Sequence, residues 1–181
     1  VVGGVVVLFS FLTNAMTSST QRFLNYNFGL KNESKVSHIF NVSILTHFTI
    51  FLLVLLLSET VGLWFVMTQL NIPVGRETAT MWVYQMSVVT TLIGIMVIPY
   101  RASIIAAERM SIFAYVSILE VALKLVVVLV LSYMSFDNLV MYSILLTLVA
   151  MLNFFIYQIE CRRKLSFTKY HFVWDKSQYK E

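Results

Sequence analysis

Charge is scarce in this chain. Only 12% of its residues are Asp, Glu, Lys or Arg, against about 25% in ordinary soluble domains. That excludes a fold solvated on every side. Proline is nearly absent, with two in 181 residues, so little interrupts long helices. A single cysteine, Cys161, excludes an internal disulfide. It lies beside Arg162 and Arg163 and reads as a free thiol at a membrane edge. No HExxH pair, phosphate loop, GxSxG elbow or paired Cys/His spacing occurs, so no enzyme, metal or cofactor is expected. Finger spacings, stacking-aromatic motifs and basic helices are lacking too, and a nucleic-acid partner is not expected.

What is abundant is apolar. Hydrophobic residues make up 59% of the chain and the mean hydropathy is +0.80. Ile39–Ser58, Met81–Tyr100 and Leu139–Ile159 carry no acidic or basic charge. Each holds about 20 residues, enough to cross roughly 30 Å of hydrocarbon as a helix. The expected fold is therefore all-α, a polytopic membrane bundle of about five helices. They are placed at residues 1–22, 37–67, 78–107, 110–134 and 137–161. Residues 1–161 form the bundle and 162–181 a basic linker. The chain opens within an apolar segment without methionine, so it is expected to be a piece of a longer, transporter-sized protein.

The loops alternate. The first holds Arg22, Lys31 and Lys35, the second only Arg76, the third Glu108 and Arg109 just after Arg101. The fourth, 135–138, has no basic residue, whereas the tail has Arg162, Arg163, Lys164, Lys169, Lys176 and Lys180. Basic loops stay in the cytoplasm, so the loops near 23–36 and 108–109 and the tail 162–181 are expected there. Local signals agree with these boundaries. Asp137 can cap the fifth helix by accepting from its free backbone N–H groups. Pro99 lies inside the third helix and should kink it. Trp64, Trp82 and Tyr84 fit an aromatic belt at the outer boundary.

Ionisable residues within the membrane mark candidate sites, because a charge at mid-helix costs roughly 2.5–3.5 kcal/mol on insertion scales. Glu120 and Lys124 lie near the middle of the fourth helix at i,i+4, with Ser117 extending their stripe. They are either a self-neutralising packing pair or a cavity-facing pair that binds an anionic headgroup or exchanges a proton. Arg101 ends a face of Tyr84, Ser87, Thr91, Gly94 and Ile98 that suits a cavity wall; alternatively, it snorkels to the interface. Asn14, Thr17 and Gln21 make a polar stripe on the first helix, which Arg22 ends. So polar a face should meet protein or water and not lipid. Glu59 reads as an interfacial carboxylate or a coupling group, and His47 as a histidine hydrogen-bonded to a neighbouring helix.

Several segments together resemble the bacterial polysaccharide (O-antigen) flippase family, within the MATE-like exporter superfamily. They are residues 14–23 (NAMTSSTQRF), 58–65 (SETVGLWF), Ile98-Pro99-Tyr100 with 107–110 (AERM), 114–120 (AYVSILE) with Lys124, and Phe172-Val173-Trp174-Asp175. The resemblance spans almost the whole chain. It implies a protein of two helical lobes, of which this chain is most of the first plus the connecting linker. Such a protein sits in the bacterial inner (cytoplasmic) membrane. By alternating access it moves undecaprenyl-diphosphate-linked oligosaccharide across that membrane for O-antigen, lipopolysaccharide or capsule synthesis. The implied partners are the lipid-linked oligosaccharide, membrane lipids and the second lobe. Arg101 departs from the small polar residue expected after Pro-Tyr. Expected substrate contacts are Lys124, Arg101, Arg22, Asn14 and Gln21; expected coupling groups are Glu120 and Glu59. Two alternatives stand beside this reading. One is a cation-coupled small-molecule exporter of the same fold, and the other is a non-transporting membrane scaffold.

Overall fold

The computed structural model describes residues 2–30, 33–70, 72–73, 75–133 and 137–165, and the side chains from residue 15 onward except 33 and 34. Every regular element among them is helical: α1 (Val2–Gly29), α2 (Glu33–Leu57), a π-turn (Ser58–Gly62), α3 (Leu63–Thr68), α4 (Glu77–Ala106), α5 (Met110–Leu131) and α6 (Asn138–Lys164). The stretches Lys35–Thr68, Glu77–Ala106, Met110–Leu131 and Asn138–Lys164 are each long and apolar enough to cross a membrane. At 28 residues, α1 has the length for a further crossing. The chain is an all-α, polytopic bundle.

Three expected boundaries are corrected. The first helix does not end at Arg22 but continues to Gly29, since a helix need not stop where hydrocarbon does. Within that extension the Asn27 amide donates to the Phe23 carbonyl at 3.0 Å. The second helix begins earlier, at Glu33, and reaches Thr68 as one rod broken only in register by the π-turn. The last helix extends to Lys164, so residues 162–164 belong to the bundle and not to a linker. Residues 166–181, with Lys169, Lys176, Lys180 and Phe172-Val173-Trp174-Asp175, lie outside the described residues.

Helix ends follow the local chemistry. The Asp137 carboxylate caps α6, accepting from the Leu139 N–H at 3.1 Å. The same side chain pairs with Arg76. This pair joins the α3–α4 and α5–α6 connections, so both lie at one end of the bundle. At the other end, α4 closes in a Schellman turn. The Arg109 N–H donates to the Ile104 carbonyl at 3.1 Å, and the Glu108 N–H to Ile105 at 3.0 Å. That motif puts its closing residue in the left-handed region and favours glycine, yet Glu108 occupies it with φ of 56°.

Helix α4 is the hub. Half of its apolar stretch (50%) is buried inside the bundle, against 6% for Lys35–Thr68 and 11% for α5. It runs helical through Pro99, which is fully buried. On the C-terminal side of that proline two buried clusters form. Tyr100 meets Phe40 of α2 and Phe154 of α6 edge to face, at 5.7 and 5.8 Å between ring centroids. Ile112, Val116, Tyr157 and Cys161 complete this cluster. Leu24, Val36, Ala102 and Ala106 form a second one, tying α1 and α2 to α4. Cys161 is a free thiol packed inside the bundle. It is fully buried, and its Sγ lies 3.4 Å from the Tyr100 carbonyl. Apolar side chains such as Leu52, Leu56, Val121, Leu125 and Val128 face outward, as lipid-exposed helix faces require.

Candidate functional site

A cavity of about 400 Å³ lies between α1, α4, α5 and α6. Its α4 wall is the row Thr90, Gly94, Val97 and Arg101. These positions recur at i, i+4, i+7 and i+11 and so share one helix face. The expected wall shared Gly94, Ile98 and Arg101 with the cavity lining but also included Tyr84, Ser87 and Thr91, which do not line the cavity. Tyr84 turns instead toward α2 and donates to the Ser58 carbonyl at 2.6 Å. Thr90 sits against Thr147 of α6, with their hydroxyl oxygens 2.9 Å apart. That contact ties the two walls together at the end of the row opposite Arg101.

The α5 wall carries the charge. Ser117, Glu120 and Lys124 all line the cavity, and Lys124 Nζ donates to Glu120 Oε1 at 2.6 Å. The pair is not sealed by packing: 53% of the Lys124 side chain and 36% of Glu120's remain exposed. Bare charge facing hydrocarbon is strongly unfavourable. This face of α5 must therefore look into water or protein, and the cavity is what it borders. Arg101 stands on the neighbouring wall. Its guanidinium carbon lies 5.0 Å from the centre of the Phe113 ring, a cation–π distance. Its Nε is buried with no hydrogen-bond partner among the described residues. Arg101 is thus held against an aromatic ring of α5 while it lines the cavity.

Charge decides what such a space favours. Arg101 and Lys124 contribute two positive charges and Glu120 one negative, leaving a net +1 among the ionised side chains of the lining. In a low-dielectric surround that excess attracts an anion.

Other expected residues lie elsewhere. Thr17, from the polar stripe of α1, lines the cavity, but Gln21 and Arg22 do not. Arg22 is exposed and Gln21 half-buried; the Asn14 side chain lies outside the described residues. Glu59 sits in the π-turn, where Gln85 Nε2 donates to its Oε2 at 3.3 Å. It takes no part in the cavity. His47 bonds chiefly within its own helix, Nδ1 lying 2.7 Å from the Ser43 carbonyl. It reaches α1 through Ser43, whose hydroxyl donates to Thr20 at 3.4 Å. Trp64 and Trp82 are exposed, as a belt requires.

The residues missed from sequence are on α6. Asn153 and Tyr157 both line the cavity, as Ser117 does from α5. Their spacing of i,i+4 was available as a signal. A lone Asn or Tyr in an apolar helix, however, does not reveal which face points inward. A second hollow, about 610 Å³, lies beside the α3–α4 connection; among the described residues Glu77 is the sole ionisable side chain of its lining. Among the described residues no three His, Cys, Asp or Glu side chains are close enough to hold a metal ion. Set against protein families, curated proteins and solved structures, the chain matches none.

Proposed function

We propose that this chain forms part of a flippase that moves undecaprenyl-diphosphate-linked oligosaccharide across the bacterial inner membrane for polysaccharide synthesis. The observation that carries the reading is the net-positive cavity between α1, α4, α5 and α6. A diphosphate headgroup needs cations where hydrocarbon would otherwise surround it, and Lys124 and Arg101 supply them. Lys124 contacts the diphosphate; Glu120 competes for the same ammonium and eases release. A second lobe of the same protein would provide the facing wall and alternate the cavity between the two leaflets. The small-molecule exporter reading needs Glu120 and Glu59 to act as coupling carboxylates, and Glu59 lies outside the cavity.

The test is transport in proteoliposomes with labelled lipid-linked oligosaccharide. Lys124→Ala is expected to lower flipping by roughly 10- to 100-fold, the worth of a hydrogen bond to a charged group, while Lys124→Arg retains most of it. Expression should be unchanged, because the side chain is half exposed. Wild-type flipping by Lys124→Ala would remove the residue from the mechanism. Unaltered function across Lys124→Ala, Arg101→Ala and Glu120→Gln would favour the scaffold. Inhibition by organic cations, without dependence on lipid-linked sugar, would favour the small-molecule exporter.

A further inference from the structure

Gly94 stands near the middle of α4, where glycine weakens a helix relative to alanine. In membrane helices such a residue is ordinarily kept because a packed neighbour leaves no space for a side chain. Here no described neighbour does: a Cβ built on Gly94 meets nothing within 4 Å. Its backbone does not call for glycine either, since it lies within a regular helix and has no positive φ. Gly94 is exposed, and what it borders is the cavity. The volume a side chain would take is therefore cavity volume. Its absence brings the α4 backbone within reach of a ligand, a recurrent use of glycine.

The two cations frame that volume. The short connection between α4 and α5 makes them antiparallel neighbours. Arg101 of α4 lies against Phe113 of α5. Two turns away along each helix, about 10 Å, Gly94 and Glu120 stand level, and Glu120 holds the Lys124 ammonium at 2.6 Å. Cβ atoms tilt toward the N-terminus of their helix. In antiparallel helices Arg101 and Lys124 therefore lean toward each other. An anion held by both extends from Arg101 to the level of Gly94 and lies against the α4 backbone there. A single phosphate is served by one cation and need not cross Gly94; two phosphates in series reach both. We propose that Gly94 is a specificity-determining residue: its missing side chain is the clearance that seats the second phosphate of a lipid diphosphate, and so selects two phosphates over one. The inference rests on the flippase reading for the lipid that carries the diphosphate.

Binding tests it, with the whole chain in lipid nanodiscs. The probes are undecaprenyl diphosphate, undecaprenyl monophosphate and, as soluble competitor, inorganic diphosphate. Wild type should prefer the diphosphate lipid by roughly tenfold or more, the worth of a further hydrogen bond to a charged group. Gly94→Leu should weaken the diphosphate lipid by roughly 10- to 100-fold, as overpacking a fitted site does, and leave the monophosphate lipid little changed. Gly94→Ala should fall between. Neither variant alters a charge, so a lost preference reports space and not electrostatics. Their thermal midpoints should equal or exceed that of wild type, because the added carbons enter open space and a better helix former replaces glycine. A wild type that binds both lipids equally, a preference that survives Gly94→Leu, or midpoints lowered by both variants would overturn the role of Gly94 and leave the flippase reading standing. Failure of wild type to bind either lipid would overturn both. Competition by inorganic diphosphate, equal in strength and equally dependent on Gly94, would uphold the clearance and sink the lipid carrier.

Discussion

Gly62 has no room for a side chain. A Cβ built there would collide with the Tyr84 hydroxyl, which is held in place by its bond to the Ser58 carbonyl at 2.6 Å. The glycine is therefore a packing requirement, set by a tyrosine on another helix. Gly62→Ala is expected to destabilise the chain by about 1–3 kcal/mol, as overpacking does, and Tyr84→Phe by about 1 kcal/mol through its lost hydrogen bond. Because Tyr84→Phe removes the colliding atom, adding Gly62→Ala to it should cost less than Gly62→Ala alone. Thermal unfolding of the wild type and the three variants in detergent measures this; additive effects would mean that the two positions do not meet. Legibility at this scale followed desolvation energy. Lys124 and Glu120 stood out in an apolar helix because charge is so unfavourable there. Asn153 and Gly62 did not, since neither looks anomalous until its neighbour across the helix interface is known.

At the scale of the element, the π-turn governs the C-terminal part of the Lys35–Thr68 rod. Five residues, Ser58–Gly62, widen the helix between α2 and α3, and such bulges behave as single-residue insertions in an α-helix. The turn is anchored to α4 by Tyr84 and by the Gln85–Glu59 bond. Beyond it, α3 buries Val66 at 7% exposure. Deleting Thr60 should restore α-helical register and rotate α3 by about 100°, one residue's turn. Val66 would then leave the interface. With Val66→Cys as reporter, thiol labelling should be slow in the full-length sequence and fast in the deletion, Cys161 staying silent at 0% exposure. Equal labelling would mean that the π-turn does not set the register of α3. Composition pointed to one long apolar helix here but gave no hint of the bulge, because the residues Ser58-Glu59-Thr60-Val61-Gly62 are as compatible with an ordinary turn of helix.

Across the whole molecule, two ends can be distinguished. The Arg76–Asp137 pair joins the α3–α4 and α5–α6 connections at one end. The clusters around Tyr100 and Leu24 close the other, where α1 meets α2 and α4 meets α5. The alternation of basic and poor loops is thus matched by a real separation in space. If the positive-inside rule sets the orientation, a membrane-impermeant maleimide should label Glu77→Cys in intact cells and Arg109→Cys only after permeabilisation. Both positions are exposed. The reverse pattern would invert the chain. The Arg76–Asp137 pair itself should add at most about 1 kcal/mol, being exposed on both partners.

What the sequence determined by itself was the medium and the crossing pattern. Uncharged runs of membrane length leave the backbone no stable form but helix, since hydrocarbon offers no partner to a free N–H or C=O. The i,i+4 pairing of Glu120 with Lys124 was equally local, a property of one helix. Tertiary structure alone decided which faces meet. It turned Arg101 onto Phe113, moved Tyr84 from the cavity to the π-turn, buried Cys161 against α4, left Glu59 and Arg22 outside the site and brought Asn153 into it. In helices apolar on most sides, no amphipathic stripe points inward. The choice of face then rests on side-chain fit between neighbours, and that appears only when the helices are packed together.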